Sequence, residues 1–363
     1  MFRPDRPGGI QMQKIEATLS GYVPKMLNRR ERIVFLGLYT SLLALWGTVF
    51  FSHYGLSLYA KNFQVPLTMV FGSFLGGFTC EGGGAVAFPV FTKVLHIEPY
   101  VARDFSFAIQ SIGMSFASIT VLLRKIKIEK NVIKFAVIGG LVGIVIGSYT
   151  IVPYISASQT KLVFTLVITS FGVALFLKNF VFKSWEHERI IHFKLMDAAL
   201  IFTIGIMGGL FSSIIGTGIH FITFSFVTLL YRLDEKVATP TSVMIMAADS
   251  IFGFTFRLFV LNQFSGQALQ YWALSIPVAA FFAPLGAIVC SKVSRIFIVK
   301  MLLVLIGIEF ITTLFIFKFQ AETILLSVLV IALSLLVYIL MVVKFSKRFA
   351  GEEMVRQGIN AGV

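Results

Sequence analysis

Two glycine clusters carry most of the chemistry this sequence offers. The first reads G-G-F-T-C-E-G-G-G-A-V-A-F-P from Gly76 to Pro89, the second I-I-G-T-G-I-H-F from Ile214 to Phe221. Each interrupts an apolar run, 66–97 or 197–231, that is too long for one ordinary membrane span. Non-helical backbone at membrane depth must be buried in protein or line a wet cavity. A helix that restarts after Gly84 or Gly218 turns its free N–H groups, with roughly half a positive charge, toward that interior. Two such termini meeting near the midplane make an anion site without a cationic side chain, and glycine lets the ligand approach the backbone closely. Candidate substrate contacts are therefore Gly82, Gly83, Gly84, Gly216, Thr217 and Gly218, with the hydroxyls of Ser106 and Ser242 as further donors. Gly140, Gly143 and Gly147 lie in an unbroken apolar run and read as close helix packing instead.

Ionisable side chains inside spans are costly and mark function by default. Glu81 lies in the first glycine cluster, where it joins the candidate substrate contacts. A fixed negative charge there repels an anion, whereas a carboxyl protonated by burial would couple proton and substrate. The alternative is a carboxylate that caps loop N–H groups. Asp249, near the middle of the run 237–261, is a candidate proton or coupling-ion site. Arg257 is eight residues further on, about 12 Å along the helix and on a similar face. It either contacts substrate or snorkels to the surface. Glu309 reads as the partner of a basic residue on a neighbouring helix, and His220 as a satisfied buried histidine. Arg103 and Asp104 read as interfacial.

The elements that position these residues must be membrane helices. Hydrophobic residues make up 57% of the 363 and charged residues 13%, against about 45–50% and about 25% in soluble domains. Apolar runs fall at about 33–51, 66–97, 104–123, 132–153, 159–181, 197–231, 237–261, 270–291, 297–317 and 322–343. The net charge of +14 sits in short blocks between them, as cytoplasmic loops do under the positive-inside rule. No basic stripe interleaves with exposed aromatics, which argues against nucleic acid as a partner. Cys80 and Cys290 form neither a disulfide framework nor a metal spacing, and no cofactor is expected.

Charge placement then orients the runs. Arg29, Arg30 and Arg32 put the N-terminal segment inside, and the loop from Arg124 to Lys134, with five cations, is also inside. The run 66–97 must then begin and end outside, as a re-entrant hairpin. Lys178–Lys194, the uncharged Asn262–Leu269 and the block Lys292, Arg295, Lys300 make 197–231 a second hairpin from the opposite face. The alternative is that each long run spans once as a broken helix.

A shift of 136 residues superimposes the two halves. Gly72 meets Gly208, Gly82 meets Gly218, Phe88 meets Phe224 and Thr92 meets Thr228. Val101-Ala102 meets Val237-Ala238, Ser106 meets Ser242, and Phe116 meets Phe252. Only nine of the 46 pairs from Gly72 to Ala117 are identical, so the shared order of hairpin, V-A, serine and long helix carries the argument. Each repeat has one hairpin and three spans, an odd number, so the second is inverted, as in many secondary transporters. The expected fold is an all-α polytopic bundle of two inverted repeats, with one extra helix at each end.

The expected divisions are a cytoplasmic segment 1–32, an anchor helix and external linker 33–65, the first repeat 66–181, a cytoplasmic linker 182–196, the second repeat 197–317, a C-terminal helix 318–343 and a cytoplasmic tail 344–363. The first apolar run lacks an A-x-A-like exit site and reads as a retained anchor. The bilayer is the plasma or inner membrane, and the oligomeric state is open, a homo-oligomer included.

A glycine-rich loop followed by F-P, then V-A and a serine-bearing helix, given twice, resembles the sulfite exporter TauE/SafE family over roughly residues 66–317. The second copy departs from the family pattern. It has Gly218-Ile219-His220 where the family has a glycine triplet, and Ser225 in place of the proline. Glu81 is also unusual beside the first triplet. The resemblance implies transport of a small sulfur-containing anion such as sulfite, thiosulfate or an organosulfonate. No H-E-x-x-H, G-x-S-x-G or paired-Asp motif points to an enzyme. A non-transporting scaffold or receptor subunit of the same fold is the alternative reading.

Overall fold

The structure is a computed structural model that describes residues 29–79, 88–181, 186–190, 193–316, 327–328, 330–336 and 338. The chain forms α1 (Arg29–His53), α2 (Leu56–Asn62), α3 (Gln64–Phe78), a π-helical turn (Val90–Val94), α4 (Pro99–Leu123), α5 (Lys130–Thr150) and α6 (Ala157–Phe176), which continues as a π turn (Leu177–Val181). Then follow α7 (Leu195–Ile215), α8 (Ile219–Leu229), α9 (Glu235–Thr255) with a π turn (Phe256–Val260), α10 (Gly266–Lys292) and α11 (Arg295–Ile316). Every long element among the described residues is helical. Apolar surroundings leave the backbone no other way to satisfy its N–H and C=O groups within one segment.

Local sequence sets the helix ends. Pro99 opens α4, where its missing N–H is not needed. Ser156 and Gln159 form a reciprocal capping box at α6, Asp234 caps α9 through Lys236 N, and Gly216 ends α7 in the left-handed conformation.

Among the described residues eight helices are long and apolar enough to cross a membrane, and they differ from the spans the runs suggest. The run 197–231 divides at Gly216–Gly218 into unequal arms, and the first arm, α7, is itself 21 residues long. The run 322–343 is described only in part. The linker after α1 is also helical, as α2. Burial ranks the helices: 67% of the apolar window of α4 and of α10 is buried, against 11% for α1. So α4 and α10 are central and α1 is peripheral.

The halves pack reciprocally. The arm α3 of the first half lies along α10 of the second, and the arm α7 of the second lies along α5 of the first. Both contacts are made by small residues. A β-carbon at Gly77 would strike the carbonyl of Ala283, and one at Gly286 the carbonyl of Phe74. Likewise Gly143 abuts the Ile206 carbonyl, Gly205 that of Ala136 and Gly209 that of Gly140. Gly140, Gly143 and Gly147 therefore serve close packing, as their unbroken run implied: Gly143 admits the α7 backbone, Gly140 the Ile219 side chain and Gly147 that of Ser213. Gly143→Val is expected to cost about 1–3 kcal/mol through overpacking, read as a lower melting temperature in detergent. An unchanged melting temperature would mean that α5 and α7 can separate at no cost.

Contacts also define two ends of the bundle. At the basic end Lys127 pairs with Glu188 at 2.5 Å, Ile190 N donates to Glu129 at 3.2 Å, and Lys178 meets Glu235. The Tyr231 hydroxyl donates to Asp197 at 2.9 Å, so the chain leaving α8 returns to the start of α7. At the opposite end Lys93 Nζ lies 2.7 Å from Glu309 Oε1 and 2.8 Å from the Thr313 hydroxyl. Thr165 donates to the same carboxylate at 2.8 Å. The basic partner expected for Glu309 is thus Lys93.

Candidate functional site

The break between α7 and α8 is built around two glycines whose identity its geometry demands. Gly216 has φ 84° and Gly218 φ 152°, both in the region side chains avoid. A β-carbon at Gly216 would strike the Arg103 carbonyl, and one at Gly218 would come within 2.5 Å of the Phe211 ring. Gln110 of α4 braces the break from one side. Its Nε2 donates to the Gly216 carbonyl at 3.4 Å, and its Oε1 accepts from the Thr217 hydroxyl at 3.3 Å. Thr217 and His220 are buried, and their Oγ1 and Nε2 lie 3.3 Å apart. His220 is thus buried and engaged through Nε2.

The break does not sit at the level imagined from the sequence. Gly216 packs against Arg103, in the second turn of α4, toward the end opposite the basic one. Gly77, just before the first break, packs against Ala283 and Ala287 toward the basic end of α10. Each first arm runs past the middle of the bundle, so the two arms overlap lengthwise. Glu81, Gly82, Gly83 and Gly84 lie outside the described residues.

The N-terminus of α8 is already occupied. Ile219 N donates to the Ser212 hydroxyl at 2.9 Å, and Ser212 lies beside the Asp249 carboxylate. Asp249 is 2% exposed, and its Oδ1 finds no partner. A β-carbon on Gly140 would lie 3.0 Å from that oxygen. Asp249 thus belongs to the break, through a serine the sequence did not single out.

Ser106 and Ser242 are not free donors. The Ser106 hydroxyl donates to Ala102 O at 2.8 Å, and that of Ser242 to Thr239 O at 2.7 Å. In an apolar interior a serine hydroxyl satisfies itself on its own helix. Ser106 nonetheless faces the break, with its Cβ 3.0 Å from the position a Gly216 β-carbon would take.

Arg257 does not snorkel, and Arg103 and Asp104 are buried within the protein. Arg257 is 2% exposed, Asp104 is fully buried and Arg103 is 9% exposed. Asp104 Oδ1 accepts from Arg257 Nε at 2.7 Å and from Arg103 Nε at 3.3 Å, while Oδ2 accepts from Ser265 N at 3.0 Å. Arg257 Nη2 reaches the Gln263 carbonyl at 3.5 Å, and Nη1 finds no partner among the described residues. Where α9 loosens into its π turn at Phe256, Arg257 swings toward α4, so it does not share the Asp249 face. Two guanidiniums against one carboxylate leave about one buried positive charge, on the stretch of α4 whose Arg103 carbonyl abuts Gly216. The signal for Arg103 and Asp104 was their place directly after Val101-Ala102, inside the repeated motif.

This arrangement can hold an anion. It offers a buried arginine with an unused N–H, a second arginine and a threonine hydroxyl at a backbone break. Among the described residues, no cluster of three or more His, Cys, Asp or Glu side chains could hold a metal ion.

No curated protein and no solved structure matches the chain. The family model for the sulfite exporter TauE/SafE matches residues 65–313, from the start of α3 into the last turn of α11. That span takes in both arms, the break and every charged group just described, and eight helices among the described residues are long and apolar enough to cross a membrane. The protein is therefore a multi-pass integral membrane protein and belongs to the sulfite exporter TauE/SafE family.

Proposed function

We propose that this protein is a secondary transporter of a small sulfur-containing anion, such as sulfite, thiosulfate or an organosulfonate. The observation that carries this reading is the buried Arg103–Asp104–Arg257 cluster, with its surplus positive charge and unused Nη1, beside the Gly216–Gly218 break. A buried cation surplus is costly unless an anion completes it. Substrate would meet Arg257, Arg103, Thr217 and the glycine backbone at Gly216 and Gly218, with Ser106 lining the break. Glu81, Gly82, Gly83, Gly84 and Ser242 remain the matching candidates at the first break.

Alternating access is the mechanism that reciprocal halves suit. Two packings support an inverted repeat: α3 on α10 and α7 on α5 exchange partners between halves. The Tyr231–Asp197 contact supports a re-entrant α7–α8 hairpin. The cations gathered at the basic end support placing that end, and both termini, in the cytoplasm of a plasma or inner membrane.

The test is a thermal-shift screen of the purified protein against sulfite, sulfate, thiosulfate, sulfonates and small carboxylates. Bound anion stabilises the folded state by mass action, so one of these classes should raise the melting temperature and exchange across proteoliposomes. Absence of any anion-dependent shift would overturn the reading and favour a scaffold or receptor subunit of the same fold. Capping of the α8 N-terminus by Ser212 is the observation on that side.

A further inference from the structure

We propose that Asp249 carries a proton whenever the anion is bound at the α7–α8 break, so that proton and anion load together. The inference rests on the transport reading above and adds the sign of the coupling and the residues that transmit it. Asp249 stands without a cation: no described lysine, arginine or histidine pairs with it, Ser212 lies beside its carboxylate, and Oδ1 is unpartnered at 2% exposure. Three helices close around it, α5 at Gly140, α7 at Ser212 and α8 at Ile219.

The titratable groups of those helices and of α4 are engaged or remote. On α7, Asp197 bonds Tyr231. On α8, His220 faces Thr217. On α5, Lys130 and Lys134 sit in the first two turns, at the basic end. On α4, Arg103 and Asp104 belong to the arginine cluster. On α9 itself, Asp234, Glu235 and Lys236 are at the basic end and Arg257 is committed to Asp104.

The link to the anion is the hydroxyl of Ser212. It accepts from the first N–H of α8 at 2.9 Å and lies beside the carboxylate, which a β-carbon on Gly140 would meet together with the Ile219 side chain. An ionised Asp249 therefore serves as the internal counter-charge of the α8 N-terminus, the same positive end that an anion at Gly216–Gly218 would use. Two negative charges at one helix end in a dry interior repel. A proton on Asp249 removes one of them and frees the helix end for substrate. By linkage the effect is reciprocal: acid favours the anion, and the anion favours protonation. No bond is made or broken besides the O–H of the carboxylic acid.

The experiment uses the full chain in detergent with thiosulfate and an alkyl sulfonate, which keep their charge from pH 5.5 to 8.5. Wild type should lose affinity by up to about tenfold per pH unit once Asp249 ionises, the slope of one linked proton. Asp249→Asn, which keeps shape and mimics the neutral acid, should hold the acid-side affinity across the whole range. Should Asp249→Asn not fold, Asp249→Ser, which also lacks the carboxyl, should bind the anion independently of pH, and a wild-type slope in either folded variant overturns the assignment to Asp249. Anion affinity that is independent of pH overturns the coupling and leaves the transport reading standing. A dependence on sodium at constant pH overturns the proton assignment. No stabilisation by any anion overturns the transport reading, and the coupling with it.

Discussion

Exchanging Lys178 for methionine is expected to destabilise the protein by about 3–5 kcal/mol, the loss that follows when one partner of a buried ion pair is removed. Lys178 is 2% exposed and lies 3.0 Å from Glu235 Oε1 and 3.2 Å from Glu186 Oε1. Arg295 completes the cluster, bonding Glu186, Asn179 at 2.6 Å and Glu235 at 3.1 Å. Without Lys178, the fully buried Glu235 carboxylate keeps Arg295 as its one cation among the described residues. Adding Glu235→Gln to Lys178→Met should therefore recover part of the loss. Thermal unfolding in detergent of the single and double variants reads this directly, and losses that simply add would show the two groups are uncoupled.

The same cluster makes stability depend on pH. Glu186, in the segment between the halves, is pushed up to about 7 from 4.5. Burial is the largest cause and the Glu235 carboxylate the next, together outweighing Lys178 and Arg295. Between these values the folded protein holds a proton that the unfolded chain has released. This contribution to stability is full below about 4.5 and is lost as pH rises through about 7. Glu186→Gln should flatten the melting temperature across that window, and an unchanged slope would remove Glu186 as its source.

Arg257→Gln is expected to abolish anion-dependent stabilisation and to lower affinity by roughly ten- to a hundredfold, the worth of a hydrogen bond to a charged group. The variant also leaves Asp104 with Arg103 and Ser265 N alone, so a lower melting temperature without ligand accompanies the loss. Arg257→Lys separates the two effects. It keeps the charge that Asp104 needs but cannot offer guanidinium's fork of donors, so stability should recover more than anion affinity. Wild-type anion binding by a folded Arg257→Gln protein would move the site away from this cluster.

Much of the architecture is legible because membrane helices announce themselves locally. An apolar run needs no distant partner to be recognised, and a glycine pair with positive φ breaks α7 wherever α7 packs. The positions of Gly216–Gly218, the packing role of Gly143 and the pairing of Glu309 with some cation follow from residue types alone. The site is less legible because a buried charge is defined by what faces it. Asp104 and Arg257 are 153 residues apart and meet only when α4 and α9, one from each half, lie side by side.

Sequence alone determined that this is a helical membrane protein with glycine clusters in two over-long apolar runs, because composition, period and loop charge act within single segments. Tertiary structure decided that α3 and α7 overlap lengthwise instead of meeting tip to tip, because small residues let each arm slide close along a helix of the other half. It also decided that Ser212 links Asp249 to α8 and that Arg103 joins Arg257 around Asp104. Those pairings arise from the contact between halves, where desolvation forces each buried polar group to find whichever partner the packing brings within reach.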